Sequence, residues 1–316
     1  MTSKMSSELI LGAAIGYSSK QVSPFLSSLR IAGYDGDVVL FVDRALAQAL
    51  ANAELHGLTL IAASQWLPFK WKRLIRPRPM RYIWKPLQAT GVLALKLAAL
   101  TPSASLGERV RRRIACVIRN PMDARFIRYL RFLEAHPEYE RILLTDVRDV
   151  VFQAPPFRDL PGEGLCVSIE AASYTLGSEP YNAEWIKRTY GGEALASVAH
   201  ERVSCVGVTL GSRAAILDYL TLTTGEMLRI APWKPGLAGA DTAVHNMLLR
   251  TGRLGVVHEL ETFKSPVATL NAVDVDDARL SPDGVLLNED GSAVAIVHQY
   301  DRVAGLAEAV RSRLAS

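Results

Sequence analysis

Leu9-Ile-Leu-Gly-Ala-Ala-Ile-Gly-Tyr17 and Val38-Val-Leu-Phe-Val42 are continuous apolar runs of strand length. Between them Ser18–Ala32 carries its apolar residues at helical spacing, and Gly33-Tyr-Asp-Gly-Asp37 turns the chain. A run that is apolar at every position, rather than at every second one, marks a strand covered on both faces, as in a parallel sheet between two helical layers. Ala45–Leu55 then reads as a helix and Leu58–Ala62 as a third strand, so the first 63 residues predict a βαβαβ unit.

The same rhythm returns after Pro121. Phe126, Ile127, Tyr129, Leu130 and Leu133 form one face of a helix over Asp123–His136, which Pro137 ends before the strand Arg141–Thr145. Gly164–Glu170 and Val203–Gly211 read as strands, Ala214–Leu222 and Ala240–Thr251 as helices, Ala293–His298 as a last strand and Gly305–Ser316 as a closing helix. The expectation is an α/β fold, a single domain over residues 1–316, with a mostly parallel central sheet and helices on both faces. Residues 64–120 break the pattern. Prolines 77, 79 and 86 cannot sit in a central strand, and the stretch reads as a basic inserted subdomain or flap.

Hydrophobic residues make up 49% of the 316 and charged ones 22%, which excludes a disordered or fibrous chain. No run approaches the roughly 18 apolar residues that a spanning helix needs, and the N-terminus lacks the apolar core of a signal peptide. Cys116, Cys166 and Cys205 are an odd, widely spaced set, read as small buried hydrophobes rather than as disulfides or a zinc site. These features predict a cytoplasmic protein. The net charge of +4 is concentrated: Lys70, Lys72, Arg73, Arg76, Arg78, Arg81 and Lys85 are interleaved with Trp66, Trp71, Tyr82 and Trp84, and Arg109, Arg111, Arg112, Arg113 and Arg119 follow. Cations among indoles suit an anionic surface, with peripheral contact at the inner membrane face through residues 66–119. A solvated basic face is the plain alternative, and nucleic acid is disfavoured as a partner.

Leu143-Leu-Thr-Asp-Val-Arg-Asp-Val-Val-Phe-Gln153 is the most informative segment. It delivers Asp146 at the carboxyl end of a strand, the edge where open α/β sheets bind ligands. Two acids three residues apart can grip one divalent ion if the chain turns between them; two turn-forming aspartates would read the same way.

This segment, followed by Pro155-Pro-Phe157, resembles the DxD region of GT-A glycosyltransferases, especially the glycogenin-like retaining families. Three further segments come in the family's order. Cys205-Val-Gly-Val-Thr-Leu-Gly-Ser212 resembles its Asn-Ala-Gly-Val strand, Gly239-Ala-Asp-Thr-Ala-Val-His-Asn246 its Asp-Gln helix, and Ala295-Ile-Val-His298 its late metal-ligating strand. The likeness covers residues 8–63 and 121–301 and implies a GT-A-like catalytic domain. Such a domain moves a sugar from a nucleotide-diphosphate donor to a glycan or lipid-linked acceptor with help from Mn²⁺ or Mg²⁺. Carried onto this chain, it implies metal ligation by Asp149 and His298, with Asp146 at the ribose, the metal or its water. It places Gly207 against the donor, Gly16 and Tyr17 at the base, and Asp241 facing the transferred sugar or the acceptor hydroxyl. The chain departs from the family in reading Asp-Val-Arg-Asp. Arg148 then stands in the motif, where it would stabilise the diphosphate directly. Cys205 and Thr242 replace the usual Asn and Gln.

Competing descriptions stay open at single residues: a core histidine for His298, a helix cap for Asp241, a turn for Gly16. Glu170, Asn182, Trp185 and Tyr190 are assigned to an acceptor or sugar pocket, with core packing the alternative for Trp185. Haloacid-dehalogenase phosphatases are a rival class, but Arg148 cannot replace their second aspartate as general acid. A catalytically inactive GT-A-like module holding an anionic surface is the alternative outside catalysis. P-loop and dinucleotide fingerprints do not occur.

Overall fold

The computed structural model describes residues 7–51, 53, 55–63, 93, 97, 104–170, 173–230, 239–271, 273, 278–303 and 305–315. The tryptophan-rich basic stretch Trp66–Lys85 lies outside them, as does most of the amphipathic stretch 87–100.

The expected βαβαβ unit is present as β1 (Glu8–Ala14), α1 (Ser19–Ile31), β2 (Asp37–Val42), α2 (Arg44–Ala49) and β3 (Leu58–Ala62). Helix α2 ends at Ala49 with Leu50 as its cap, short of the expected Leu55, and Gly57, at φ 70°, precedes β3. The next elements are α3 (Ala104–Ile118), α4 (Pro121–Ala135), β4 (Arg141–Thr145), β5 (Val150–Phe152) and β6 (Leu165–Ile169). Helices α5 (Pro180–Tyr190) and α6 (Gly192–Val198), strand β7 (Ser204–Ser212) and helices α7 (Arg213–Arg229) and α8 (Ala240–Arg250) follow. The chain ends with β8 (Val257–Glu261), β9 (Val267–Thr269), β10 (Arg279–Leu280), β11 (Leu286–Leu287), β12 (Ile296–His298) and α9 (Leu306–Ala315).

Seven strands form the central sheet in the order β3-β2-β1-β4-β7-β6-β8. All pairs are parallel except the two made by β7, which runs antiparallel to β4 and β6. This is an α/β fold with a mostly parallel sheet. Successive side chains on a strand point to opposite faces, and both faces are covered. Ile10, Val38, Leu40 and Leu143 pack under Phe25 and Leu29 of α1. Leu9, Leu11, Val39, Ile142 and Leu144 pack under Phe126 and Leu130 of α4 and Ile216 and Leu220 of α7. That double cover is why the strands read as unbroken apolar runs. Burial of each such side chain contributes about 1.5–3 kcal/mol.

A second, three-stranded sheet in the order β5-β12-β9 docks against α1. Phe152 meets Phe25 edge to face at 5.3 Å, and its backbone N–H donates to the buried Ser28 hydroxyl at 3.0 Å. This docking fixes where β12, and His298 with it, lies relative to the main sheet.

The described end of the insertion is helical. Helix α3 packs on α4 and α7, and three of its cluster's arginines have partners within the chain. Arg112 bonds Glu108 at 2.6 Å and Glu134 at 2.8 Å, Arg111 donates to the Leu228 carbonyl, and the buried Arg119 pairs with Asp123 at 3.3 Å and donates to the Ile230 carbonyl. Arg109 and Arg113 remain on the surface. Helix α7 runs seven residues past the expected Leu222: Thr223 and Thr224, which read as helix-weakening in sequence, are buried against its neighbours. Among the described residues, no helix is long and apolar enough to cross a membrane.

Candidate metal centre

Strand β4 ends at Thr145, and the Asp146 N–H donates to the Gly207 carbonyl at 2.8 Å, carrying the β4–β7 pairing one residue further. Val147 then turns into the core at 1% exposure. This is why the chain has an apolar residue between its acids: the 146–149 turn is anchored by Val147 from below while the carboxylates stay above the sheet edge. Asp149 leads directly into β5, and β5 pairs antiparallel with β12 in a register that sets Val150 opposite His298. The Gln299 N–H closes the join, donating to the Asp149 carbonyl at 2.6 Å. Asp146, Asp149 and His298 therefore meet, with one ligand atom from each lying within 4.8 Å of the others.

The electrostatics are set by two arginines. Arg125 of α4, buried at the sheet edge, donates to Asp146 Oδ1 through Nη1 and to Asp241 Oδ2 through Nη2 at 3.2 Å. Burial works against the charge on each of these groups, but the Arg125 guanidinium and the His298 ring hold the Asp146 carboxyl well below its ordinary range, and the paired acids keep Arg125 charged. Asp241 is different. Burial dominates and raises its pKa even with Arg125 beside it. Arg148, whose side chain is 37% exposed, bonds Asp149 Oδ2 at 2.6 Å and Asp301 Oδ2 at 2.9 Å. Burial raises the Asp149 pKa as well, opposed by His298.

His298 is 1% exposed. Its Nδ1 lies 3.3 Å from Thr269 Oγ1 and 3.5 Å from Cys205 Sγ, which fixes the ring plane. Its Nε2 has no hydrogen-bond partner and points at Asp146 Oδ2, 3.7 Å away. Burial disfavours the imidazolium, but the Cys205 sulfur and the carboxylates of Asp146 and Asp149 outweigh it, and the ring titrates well above its ordinary value. The surroundings that stabilise a proton on Nε2 also stabilise a metal cation there.

Gly207 keeps the space open. A Cβ at this position would lie 2.4 Å from His298 Cε1, 2.7 Å from His298 Nε2 and 3.0 Å from Asp146 Oδ2. An orphaned buried imidazole nitrogen, two carboxylates and a cradle that any side chain would fill form a donor set able to hold a divalent ion.

No family model matches the chain, and no curated protein matches its sequence. The site is therefore described by its own geometry.

Gly16, at φ 86°, ends β1 and donates its N–H to Asp43 Oδ2 at 2.9 Å, tying the first two strand ends together. The neighbouring Tyr17 is half-buried against the core, and its hydroxyl pKa is raised by burial and then by Asp146 and Asp149. Glu170 ends β6, is buried, and accepts from Asn271 Nδ2 at 2.8 Å. The other expected pocket residues have local duties. Asn182 Nδ2 bonds Glu179, whose carboxylate caps α5, while Trp185 and Tyr190 pack against the cores beneath that helix. Trp185 also lies over Gly239, where a Cβ would fall 2.1 Å from its ring, at the start of the helix that carries Asp241. Thr242 contributes its carbonyl to Asn246. Sequence reasoning missed Arg125 and Thr269. Arg125 sits in the pattern of an amphipathic helix as an ordinary solvated cation, and only its burial distinguishes it.

Proposed function

We propose that the protein is a nucleotide-diphosphate-sugar-dependent glycosyltransferase with a GT-A-like domain, assisted by Mn²⁺ or Mg²⁺. One observation carries the reading: Asp146, Asp149 and His298, the three positions that the family resemblance singles out for the metal, converge around a glycine at the carboxyl edge of a mostly parallel sheet.

In this reading Asp146, Asp149 and His298 hold the divalent ion, which when bound supplies positive charge at the diphosphate leaving group. The chain's own residues do the rest. Gly16 and Tyr17 flank the base and ribose. Arg125 fixes the rotamers of Asp146 and Asp241 from behind, so that Asp146 Oδ2 faces the crevice and Asp241 stands at the start of α8 near the transferred sugar. Arg148, at the solvent side of the same turn, is placed to bond the diphosphate oxygens. The hydrogen-bonded pair Glu170 and Asn271 is assigned to sugar or acceptor hydroxyls. The acceptor is a glycan or a lipid-linked glycan, and contact with an anionic membrane face falls to the basic residues 66–119.

Thermal unfolding with UDP-, GDP- and CDP-sugars, each with and without Mn²⁺, tests the reading. A ligand that prefers the folded state stabilises it by about 2.7 kcal/mol at a hundred times its dissociation constant. At least one donor is expected to stabilise the protein more with Mn²⁺ than without, and Asp149→Ala is expected to abolish both that difference and hydrolysis of the donor. An inactive module that binds anionic surfaces would bind acidic vesicles yet hydrolyse no donor. Stabilisation by none of the donors would remove the transferase reading.

A further inference from the structure

The carboxylates at the sheet edge already have internal counter-charges, and the two arginines that supply them differ in freedom. Arg125 is 4% exposed in its side chain and serves Asp146 and Asp241 from within the fold. The Arg148 side chain is 37% exposed and that of Asp301 35%, while Asp149 is 10% exposed. Arg148 also belongs to a turn rather than to a packed helix. An ion pair open to water at one end is weak and readily broken, whereas the Arg125 pairs are walled in.

A divalent ion held by Asp146, Asp149 and His298 would share the Asp149 carboxylate with the Arg148 guanidinium, which sits 2.6 Å from Asp149 Oδ2. Two cations that close to one carboxylate repel each other. We infer that Arg148 is a displaceable internal cation, which neutralises Asp149 when no divalent ion is bound, yields that carboxylate to the ion, and turns to the diphosphate of the incoming ligand. The inference rests on the proposed function, because it takes the metal site and the diphosphate from there. It explains how an arginine can stand in an acid-rich metal motif without spoiling it: the planar guanidinium fits carboxylate and phosphate equally well. Ion and diphosphate binding are then coupled through one side chain, and each strengthens the other.

The test uses the full chain and measures two affinities. Mn²⁺ is titrated while its free concentration is followed by electron paramagnetic resonance, and inorganic pyrophosphate is titrated calorimetrically in chelator-containing buffer. Arg148→Gln is expected to bind Mn²⁺ about fivefold or more tighter than the wild type and pyrophosphate about fivefold or more weaker. Arg148→Lys, which keeps the charge, is expected to stay near the wild type for Mn²⁺. A merely structural role for Arg148 would move both affinities in one direction. Mn²⁺ affinity that is unchanged or weaker in Arg148→Gln would overturn the inference and leave the metal site standing, and unchanged pyrophosphate affinity would overturn the transfer to phosphate. Absence of Mn²⁺ binding in every variant, or binding indifferent to Asp149→Asn, would overturn the metal site and the inference together. Melting in chelator checks folding, and because Arg148 is half open to water its loss is expected to leave the midpoint near that of the wild type.

Discussion

Replacing Gly207 by alanine adds one methyl group, and the structure fixes what that group meets. Its Cβ would lie 2.4 and 2.7 Å from two atoms of the His298 ring and 3.0 Å from Asp146 Oδ2. The ring cannot retreat, because Nδ1 is held by Thr269 and Cys205 and the backbone of His298 is paired to Val150 on one side and Thr269 on the other. Gly207 does not have a left-handed φ, so alanine suits the backbone and brings its usual gain of about 0.4–1 kcal/mol through the unfolded chain. Overpacking a well-filled interior costs about 1–3 kcal/mol, leaving a net loss of up to about 2.5 kcal/mol, or a melting temperature lower by up to about 4 °C. Because the ring is pushed off the crevice, Mn²⁺ affinity is expected to fall by about 10–100-fold, the range seen when the surroundings of a metal ligand are disturbed. The assay is a pair of measurements, thermal unfolding in chelator and Mn²⁺ titration. Gly225→Ala serves as the control: this glycine lies inside α7, a Cβ there meets nothing within 4 Å, and a gain of about 0.5–1 kcal/mol with unaltered Mn²⁺ affinity is expected. A Gly207→Ala protein that melts and binds Mn²⁺ like the wild type would refute the argument that this glycine keeps the site open.

Arg125→Met should destabilise the protein by about 3–5 kcal/mol in denaturant titrations, because it leaves the carboxylates of Asp146 and Asp241 buried without their shared cation. Adding Asp241→Asn should recover part of that loss, and a double-mutant cycle measures the coupling. His245 is buried between the Tyr219 hydroxyl at 2.8 Å and the Ser204 hydroxyl at 2.9 Å, and burial pushes its pKa down to about 3. Below pH 6.5 the unfolded chain takes up a proton on this histidine that the folded one refuses. Its contribution to stability therefore falls with falling pH, by about 1.4 kcal/mol for each unit between roughly 6.5 and 3. His298 has the opposite sign. Its raised pKa stabilises the fold below pH 6.5 and is lost as pH rises through the folded value, so the His245 slope is read from the difference between the wild type and His245→Gln across the acid window. Asn246→Ala should cost about 2–4 kcal/mol in the same titrations. The amide accepts from the Ser204 N–H at 2.9 Å and donates to the Ser204 carbonyl at 2.9 Å, clamping the start of β7, and the buried Ser204 groups would be left unpaired.

The local elements were legible because each is dictated by residues near one another in sequence. Apolar runs at Leu9–Ala14, Val38–Val42 and Ile142–Leu144 read as strands covered on both faces, and the apolar face of α4 was legible too, although the helix starts at Pro121 behind the Asn120 cap, two residues before the expected Asp123. Helix α5, which also starts with a first-turn proline behind the Glu179 cap, was not assigned from the sequence. The acids of the 146–149 turn were legible as candidates from their place at a strand end. The arginine run was legible as a basic cluster, but not which partners its members take: Arg111 and Arg119 donate to the carbonyls of Leu228 and Ile230, and Arg112 pairs with the exposed Glu108 and Glu134.

Tertiary structure alone decided the company those acids keep. The pattern of Ile296–His298 says strand, but only the antiparallel register of β12 with β5 sets His298 opposite Val150 and so beside Asp149. No local pattern specifies that register, because it pairs segments far apart in sequence, and the docking of Phe152 on Phe25 and Ser28 of α1 places β5 where β12 can join it. Arg125 likewise occupies a helical position that would be solvated on an isolated helix, and it becomes the shared cation of Asp146 and Asp241 only when α4 lies across the carboxyl edge of the sheet. Periodicity and turn chemistry act over a few residues and are written in the sequence; the burial that turns a charge into a functional group depends on surfaces contributed by distant segments, and these meet only in the folded chain.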